Sequence, residues 1–381
     1  MRVLALNAYH GGSHRAFLEG WAEASAHELR VLALPPRHWK WRMRHAAIHF
    51  AGEARRLIDA GERFDAVLCT DMLNLAEFRG LAPEPVRRLP AVAYFHENQL
   101  AYPTRVSGPE RARDEHFALT NLTTALAADA AWFNSAFNRD SMLAGLDALL
   151  RRMPDFAPLG ALGRVRARSR VEPPFIDDGL LDAPARPPEP GRTLRVLWAA
   201  RWEHDKGPET FLEAMRRLAS RGVAFRVSML GGGPGRDAER FDDARRALGD
   251  RVERWGYAEG AAAYRAALAA ADVVVSTARH EFFGIAALEA VAAGALPLVP
   301  GALAYPETLG PVAPPECFHG GDAADVARRL EALADRVART GHAWPEPGGP
   351  GAARAGLGRF RRSRRVPALD DALEDARALA S

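Results

Sequence analysis

The chain has 381 residues, 48% of them hydrophobic, with a formal net charge of +3. That is too long for one ordinary core and suggests two domains, while the small net charge is by itself a weak argument for nucleic acid. The two cysteines, Cys69 and Cys317, are far apart in apolar segments, which excludes a disulfide scaffold and points to buried thiols in a reducing compartment. No apolar run is long enough to span a bilayer. Met1-Arg2-Val3 leads directly into a strand, so no signal peptide is expected and a cytoplasmic location is.

In chain order, the first half alternates short apolar runs with amphipathic stretches. Strands are predicted at 2–7, 28–33, 64–70, 91–95 and 130–133, with helices at 14–26, 43–60, 73–81, 115–127 and 135–149. Strand then helix, repeated, indicates an α/β unit whose parallel sheet carries helices on both faces. Residues 177–192 (DDGLLDAPARPPEPGR) are rich in Pro and Gly without periodicity and are predicted to be a linker. The pattern then restarts. Strands are predicted at 194–199, 225–230, 252–255, 273–276 and 296–299, and helices at 208–220, 237–248, 261–270, 285–293 and 323–339. Residues 342–366 break it with Gly, Pro and Arg, including RFRRSRR at 359–365, and 367–381 read as one last helix. The arginine run is expected to be a solvated tail or, alternatively, a contact for an RNA backbone. The chain thus divides into two doubly wound, Rossmann-like domains, 1–176 and 193–341, facing across a cleft suited to a ligand.

The most informative stretch is EFFGIAALE, from Glu281 to Glu289. It runs from the end of a predicted strand into a helix, with Phe283-Gly284-Ile285 forming the first turn. The free N–H groups there and the positive end of the helix dipole make an anion site. At the helical rise, eight residues would separate the two carboxylates by about 12 Å. One acid could hold a sugar hydroxyl and the other a ribose, with a phosphate between them.

Other predicted strand ends add to this. Arg201-Trp-Glu-His-Asp-Lys206-Gly207 places two cations on one loop, which suits a pyrophosphate that gains charge as it leaves. The competing reading is a surface ion-pair loop with Glu203 and Asp205. Gly231-Gly232-Gly233-Pro234 and Gly256-Tyr257 end two further strands, on the sheet edge where a nucleotide would lie. In the first half, Gly11-Gly12-Ser13 could let a ligand approach the backbone closely. His96-Glu97-Asn98-Gln99 ends the AVAYF strand, so His96 could donate a hydrogen bond or carry a proton; a structural histidine is the alternative. RHWKWRMRH (37–45) interleaves cations with Trp39 and Trp41 and has no acid. That composition suits phosphate contact with base stacking, although the tryptophans could instead pack onto the domain. No HExxH, CxxC or DxD spacing suggests a metal, and no GxSxG elbow suggests a hydrolase.

These residues resemble retaining glycosyltransferases of the GT-B fold, group 4. YHGGSHRAF, LPPRHWKWRMRHAAIHF, YFHENQLAYP, FNSAFNRDS, ARWEHDKGPETF and STARHEFFGIAALEAV are similar to one branch, the tRNA-queuosine α-mannosyltransferases. The resemblance runs from Tyr9 to about Glu307. It implies that 1–176 is the acceptor-side domain and 193–341 the donor domain. Arg201 and Lys206 would hold the donor pyrophosphate, Glu281 the hexose hydroxyls and Glu289 the ribose, with Gly231, Tyr257, Phe283, Gly284 and Ile285 against the nucleotide. His96 would approach the transferred sugar, and Gly11 and Gly12 would line the reaction centre. Asn98 and Gln99, with Trp39, Lys40, Trp41 and Arg42, would face the RNA. The implied donor is GDP-mannose, the acceptor queuosine in a tRNA anticodon, and the outcome retention without a further cofactor or a metal. A group 4 enzyme acting on a small molecule, lipid or glycan is the alternative, and a catalytically silent RNA- or nucleotide-binding module is the alternative of another class. Phe282 departs from the group 4 pattern, in which a small residue or proline often follows the first Glu.

Overall fold

The computed structural model describes the chain apart from residues 102–108, 185, 233–237, 347–348 and 381, and apart from the side chains of 109–114, 238 and 380. It contains two compact units, one made of Met1–Phe175 with Arg362–Ser381 and the other of Ile176–Arg361.

The first unit is built on β1 (Arg2–Asn7), β2 (Glu28–Ala33), β3 (Ala66–Thr70), β4 (Ala91–Phe95), β5 (Ala130–Phe133) and β6 (Ser169–Val171). They pair in the order β2-β1-β3-β4-β5-β6, every pair parallel. Strands β3, β4 and β5 are buried along their whole length, as expected where helices cover both faces. Alternation along β1 sorts its side chains: Leu4 and Leu6 join Phe50, Phe78 and Phe133 in one core, Val3 and Ala5 join Trp21, Tyr94 and Trp132 in the other.

The last helix covers that second face. It begins at Arg362 rather than Pro367, with Pro367 inside it, and buries Val366, Leu369, Leu373 and Ala376. Buried Asp370 anchors it by accepting from Trp21 Nε1 (2.7 Å), Ser25 Oγ (2.7 Å) and Ala26 N (2.8 Å).

The second unit holds β7 (Leu194–Ala199), β8 (Phe225–Leu230), β9 (Val252–Gly256), β10 (Val273–Val275), β11 (Leu296–Pro300) and β12 (Phe318–His319). These pair in the order β12-β11-β10-β7-β8-β9, again all parallel. The sheet order reverses between β7 and β10, a topological switch point of the kind that binds ligands at the carboxyl ends of strands.

Several segments differ from expectation. Residues 177–192 are not a bare linker: Asp177 caps the short helix Asp178–Leu181, and Arg186 and Arg192 both pair with Asp272 at the start of β10. The Gly/Pro/Arg-rich stretch 342–366 contains the helix Gly349–Leu357 and a 3-10 turn at Gly358–Phe360. Four of the five arginines of 359–365 have internal partners, which removes the reading of a solvated tail. Arg359 donates to the carbonyls of Glu307 and Thr308, Arg361 pairs with Asp182, Arg362 with Glu23 and Arg365 with Glu172. The strands β6 and β12 are too short for a period-2 signal.

Candidate active site

In the second unit two loops are seated directly on each other. The first leaves β7, passes through a 3-10 turn at His204–Lys206 and enters the helix Pro208–Ser220 through Gly207. Gly207 has φ +61, and a Cβ there would lie 2.2 Å from the carbonyl oxygen of Thr277. Only glycine meets both demands. Thr277 in turn donates to the Gly207 carbonyl (2.8 Å) and accepts from Trp198 Nε1 (3.2 Å). The second loop follows β10, and its Arg279 and His280 N–H groups donate to the Asp205 carbonyl at 2.7 and 3.2 Å.

This seating brings Lys206 to Glu281, residues 75 positions apart. Lys206 Nζ donates to the His280 carbonyl (2.9 Å) and to Glu281 Oε2 (3.2 Å), and Asp205 lies 3.3 Å away. Burial works to lower the Lys206 pKa, but Glu281 and Asp205 outweigh it and hold the ammonium above the usual lysine value. Burial works to raise Glu281, yet Lys206 and the backbone N–H groups of Phe283 and Gly284 hold its carboxyl below the usual range. Both groups are therefore charged at neutral pH.

The anion site expected at Phe283-Gly284-Ile285 is corrected in detail. The helix Ile285–Ala292 starts only after Gly284, which is left-handed at φ +84. The N–H groups of Phe282 and Phe283 already point at Glu281 Oε1, at 3.1 and 3.4 Å. A single helical rise across the interval from Glu281 to Glu289 therefore does not hold; from Ile285 to Glu289 it amounts to about 6 Å. A Cβ on Gly284 would meet the Tyr305 ring at 2.6 Å. Tyr305 donates to Ser276 Oγ (2.7 Å), and His319 Nε2 donates to the Ser276 carbonyl (2.7 Å).

Glu289 lies on the helix and accepts from Tyr264 Oη at 2.7 Å. Its environment is the reverse of that of Glu281: burial raises its pKa to about 7 against the relief given by Tyr264. Arg201 is half-exposed and pairs with Glu203 at 3.0 Å, with Asp205 at 3.9 Å, so the surface ion pairs expected as the competing reading do form. Gly231 has φ +118, and its position allows no Cβ because Ala200 O would lie 2.0 Å away. Its glycine is explained by that contact alone. Tyr257 is 79% exposed and packs against Gly232. Gly233 and Pro234 lie outside the described residues.

In the first unit, His96 ends β4 and is buried. Its N–H donates to Asp71 Oδ1 (3.0 Å) and its carbonyl accepts from Asn134 Nδ2 (2.8 Å). His14, on the helix Gly12–Ala24, lies with its ring 4.1 Å from the His96 ring, and Tyr94 and Phe17 pack against His96. Burial, aided by His14, pushes the His96 pKa well below the usual histidine value. Burial and the Glu97 charge likewise push Asp71 well above the usual carboxylate range. Sequence reasoning missed His14 and Asp71; His14 stood inside the quoted YHGGSHRAF block.

Gly12, φ +52, has open space where a Cβ would stand, whereas Gly11 is needed for packing, since a Cβ there would meet Pro36 at 2.4 Å. Asn98 is corrected as an acceptor residue. It is wholly buried; its amide nitrogen donates to Asn138 Oδ1 and Ser141 Oγ, and its oxygen accepts from Leu100 and Ala101 N–H. Gln99 is only partly buried, with its amide on Glu97.

The basic–aromatic run is helical from Trp39, four residues before the expected start. Trp39 packs against Phe117 at 5.1 Å. Arg42 is buried and donates to the Pro35 carbonyl (3.2 Å), so this pair supports the fold and is not a free RNA contact. Lys40 and Trp41 are exposed.

Comparison with known proteins follows the division into two units. Residues 2–176 match the family model for the tRNA-queuosine alpha-mannosyltransferase N-terminal region, and residues 193–336 match the model for glycosyl transferases group 1. A Drosophila melanogaster protein, tRNA-queuosine alpha-mannosyltransferase, is 32% identical over 313 residues, spanning 80% of this chain and 81% of its own length. Among solved structures, sucrose-phosphate synthase from Thermosynechococcus elongatus is similar at TM-score 0.69 and 17% identity, covering 99% of this chain and all of that one. Anabaena HepE in complex with UDP is similar at TM-score 0.67 and 14% identity, covering 98% of this chain and all of that one. The two parallel six-stranded units are thus those of the GT-B fold.

Proposed function

We propose a donor, an acceptor and residue roles for this chain, which belongs to the tRNA-queuosine alpha-mannosyltransferase family. The chain is a glycosyltransferase. The proposal is that it moves mannose from GDP-mannose onto a ring hydroxyl of queuosine in a tRNA anticodon, with retention at the anomeric carbon. The observation that carries it is the 32% identity to the fly enzyme across 80% of the chain. A cytoplasmic setting belongs to the same proposal; among the described residues no helix is long and apolar enough to cross a membrane.

In this reading Lys206 holds the pyrophosphate and stabilises the charge that grows on it as the glycosidic bond breaks. Arg201, on the same loop but half-exposed, adds a second cation. Glu281 accepts from hexose hydroxyls; a carboxylate held by Lys206 and backbone N–H groups is a poor nucleophile, so it positions the sugar and forms no covalent intermediate. Glu289 accepts from the ribose. His96, neutral by burial, hydrogen-bonds the transferred sugar. The donor itself supplies the leaving phosphate, and no cofactor is invoked.

The test is incubation of the protein with GDP-[14C]mannose and queuosine-containing tRNA, followed by nuclease digestion. Label co-migrating with a mannosylated queuosine nucleoside is the expected result. Label absent from RNA, at protein concentrations that hydrolyse or transfer the donor elsewhere, would favour the small-molecule, lipid or glycan acceptor instead.

A further inference from the structure

On the helix Trp39–Asp59 the tryptophans of the RHWKWRMRH run do different jobs. Trp39 is turned into the first unit, whereas the Trp41 side chain is 59% exposed. A singly exposed apolar side chain is ordinary; what sets Trp41 apart is that it is held rigid. The His45 ring stacks on it at 4.8 Å with only 5° between the planes. His45 Nδ1 donates to the Trp41 carbonyl (2.8 Å), so Nε2 accepts from Arg42 at 3.3 Å. Both ring nitrogens are thereby fixed, and the buried Arg42 acquires a role: it braces the underside of the stack.

The segment itself carries one sign of charge. From Arg37 to Gly52 the sequence contains no acid, and Arg37, Lys40 and Arg44 are exposed. Two of these cations are placed by aromatic rings. Lys40 Nζ sits over Trp39 at 5.5 Å, and the Arg44 guanidinium over Phe117 at 5.5 Å. Ile48, 60% exposed, extends the apolar surface two turns beyond Trp41. A flat, rigid ring flanked by preplaced cations is the arrangement that binds an unpaired nucleotide, base on ring and phosphate on cation.

We infer that Trp41, backed by His45, is a stacking platform for an unpaired nucleobase of the RNA acceptor, with Lys40 and Arg44 on the adjoining phosphates. This rests on the reading of the acceptor as tRNA and adds to it the place and mode of contact. Binding of a labelled, queuosine-containing anticodon stem-loop to the full chain tests it, with the thermal midpoint as a check on folding. Trp41→Ala should weaken binding roughly 10- to 100-fold, and Trp41→Phe should restore most of it. Trp41→Leu, which keeps apolar bulk on the helix but has no ring face, should bind as poorly as Trp41→Ala. Lys40→Ala should lower the slope of log affinity against log salt by about 0.7.

Wild-type affinity in Trp41→Ala or Trp41→Leu would overturn the platform while leaving transfer to tRNA standing. Equal weakness of Trp41→Phe would overturn stacking as its basis. A wild-type protein that neither binds the stem-loop nor labels tRNA would remove the platform and the acceptor reading together.

Discussion

Two buried sets of titratable groups, one in each unit, are treated in opposite ways. In the second unit the Lys206–Glu281 pair keeps both partners charged: burial opposes ionisation, and the pairing together with the loop N–H groups overcomes it. In the first unit, burial prevails. His96 is driven toward neutral imidazole with His14 adding to the effect, and Asp71 is driven toward the neutral acid with Glu97 adding to it. The difference suits the roles proposed for each. A pyrophosphate demands fixed charge before it arrives, because charges organised in advance need no rearrangement during bond breaking. A buried neutral imidazole can hydrogen-bond a sugar hydroxyl, the role proposed for His96, without attracting anions.

Breaking the charged pair should have the largest effect. Lys206→Met should lower kcat/KM for transfer by about 10²- to 10³-fold, the range for losing one preorganised donor to a developing anion. It also leaves Glu281 buried without its counter-ion, so the Glu281 carboxyl should rise in pKa and the protein should lose stability as pH rises above the ordinary carboxylate value. The double variant Lys206→Met/Glu281→Gln should recover that stability but not the activity. Activity within a few-fold of wild type in Lys206→Met would show that the second unit's charge is structural only.

The neutral pair should respond more mildly. If His96 acts as a neutral hydrogen-bond donor or acceptor, His96→Ala should cost about fivefold in kcat, as one neutral hydrogen bond contributes about 1 kcal/mol. The pH profile is the sharper measurement. With its pKa depressed well below the usual value, His96 should stay neutral from about pH 6.5 to 8. Any inflection of kcat/KM in that window should therefore survive in His96→Gln. An inflection that disappears with the histidine would mean that His96 titrates there and that the first unit does hold charge.

The contrast was half legible in the sequence. RWEHDKG and EFFGIAALE announce two cations and two acids at strand ends, because charge at a βα turn is conspicuous beside apolar strands. The short apolar runs that set β1, β3, β4 and β5 were equally plain. What the sequence hides is which partner a polar group finds. Asn98 stands in a polar run that looks solvent-facing, yet it is buried with its amide bonded to Asn138 and Ser141. Arg359 and Arg354 belong to a stretch that reads as a basic tail, yet they donate to main-chain carbonyls of Thr308 and Ala292. A carbonyl acceptor is common to all residue types, so such a bond leaves no trace in composition. Glycines are ambiguous for a related reason: Gly207 and Gly231 are required by neighbouring backbone, whatever else approaches them.

Glu289 sharpens the comparison most finely, since it lies in the charged unit but behaves like a group of the neutral one. Its folded-state pKa is about 7 against an ordinary 4.5, so the folded protein binds this proton more tightly than the unfolded chain does. Stability from this group is therefore fully present below the unfolded value and is lost as pH rises toward 7, with no further change above it. The thermal midpoint of wild type minus that of Glu289→Gln should fall between pH 5 and pH 7 and then level off. The nucleotide should reverse this trend: a ribose that donates to Glu289 prefers the carboxylate, so donor affinity should rise through pH 7 in wild type and stay flat in Glu289→Gln. A midpoint difference that does not change with pH would show that Tyr264 alone satisfies the carboxylate, and that both acids of the EFFGIAALE stretch are held charged.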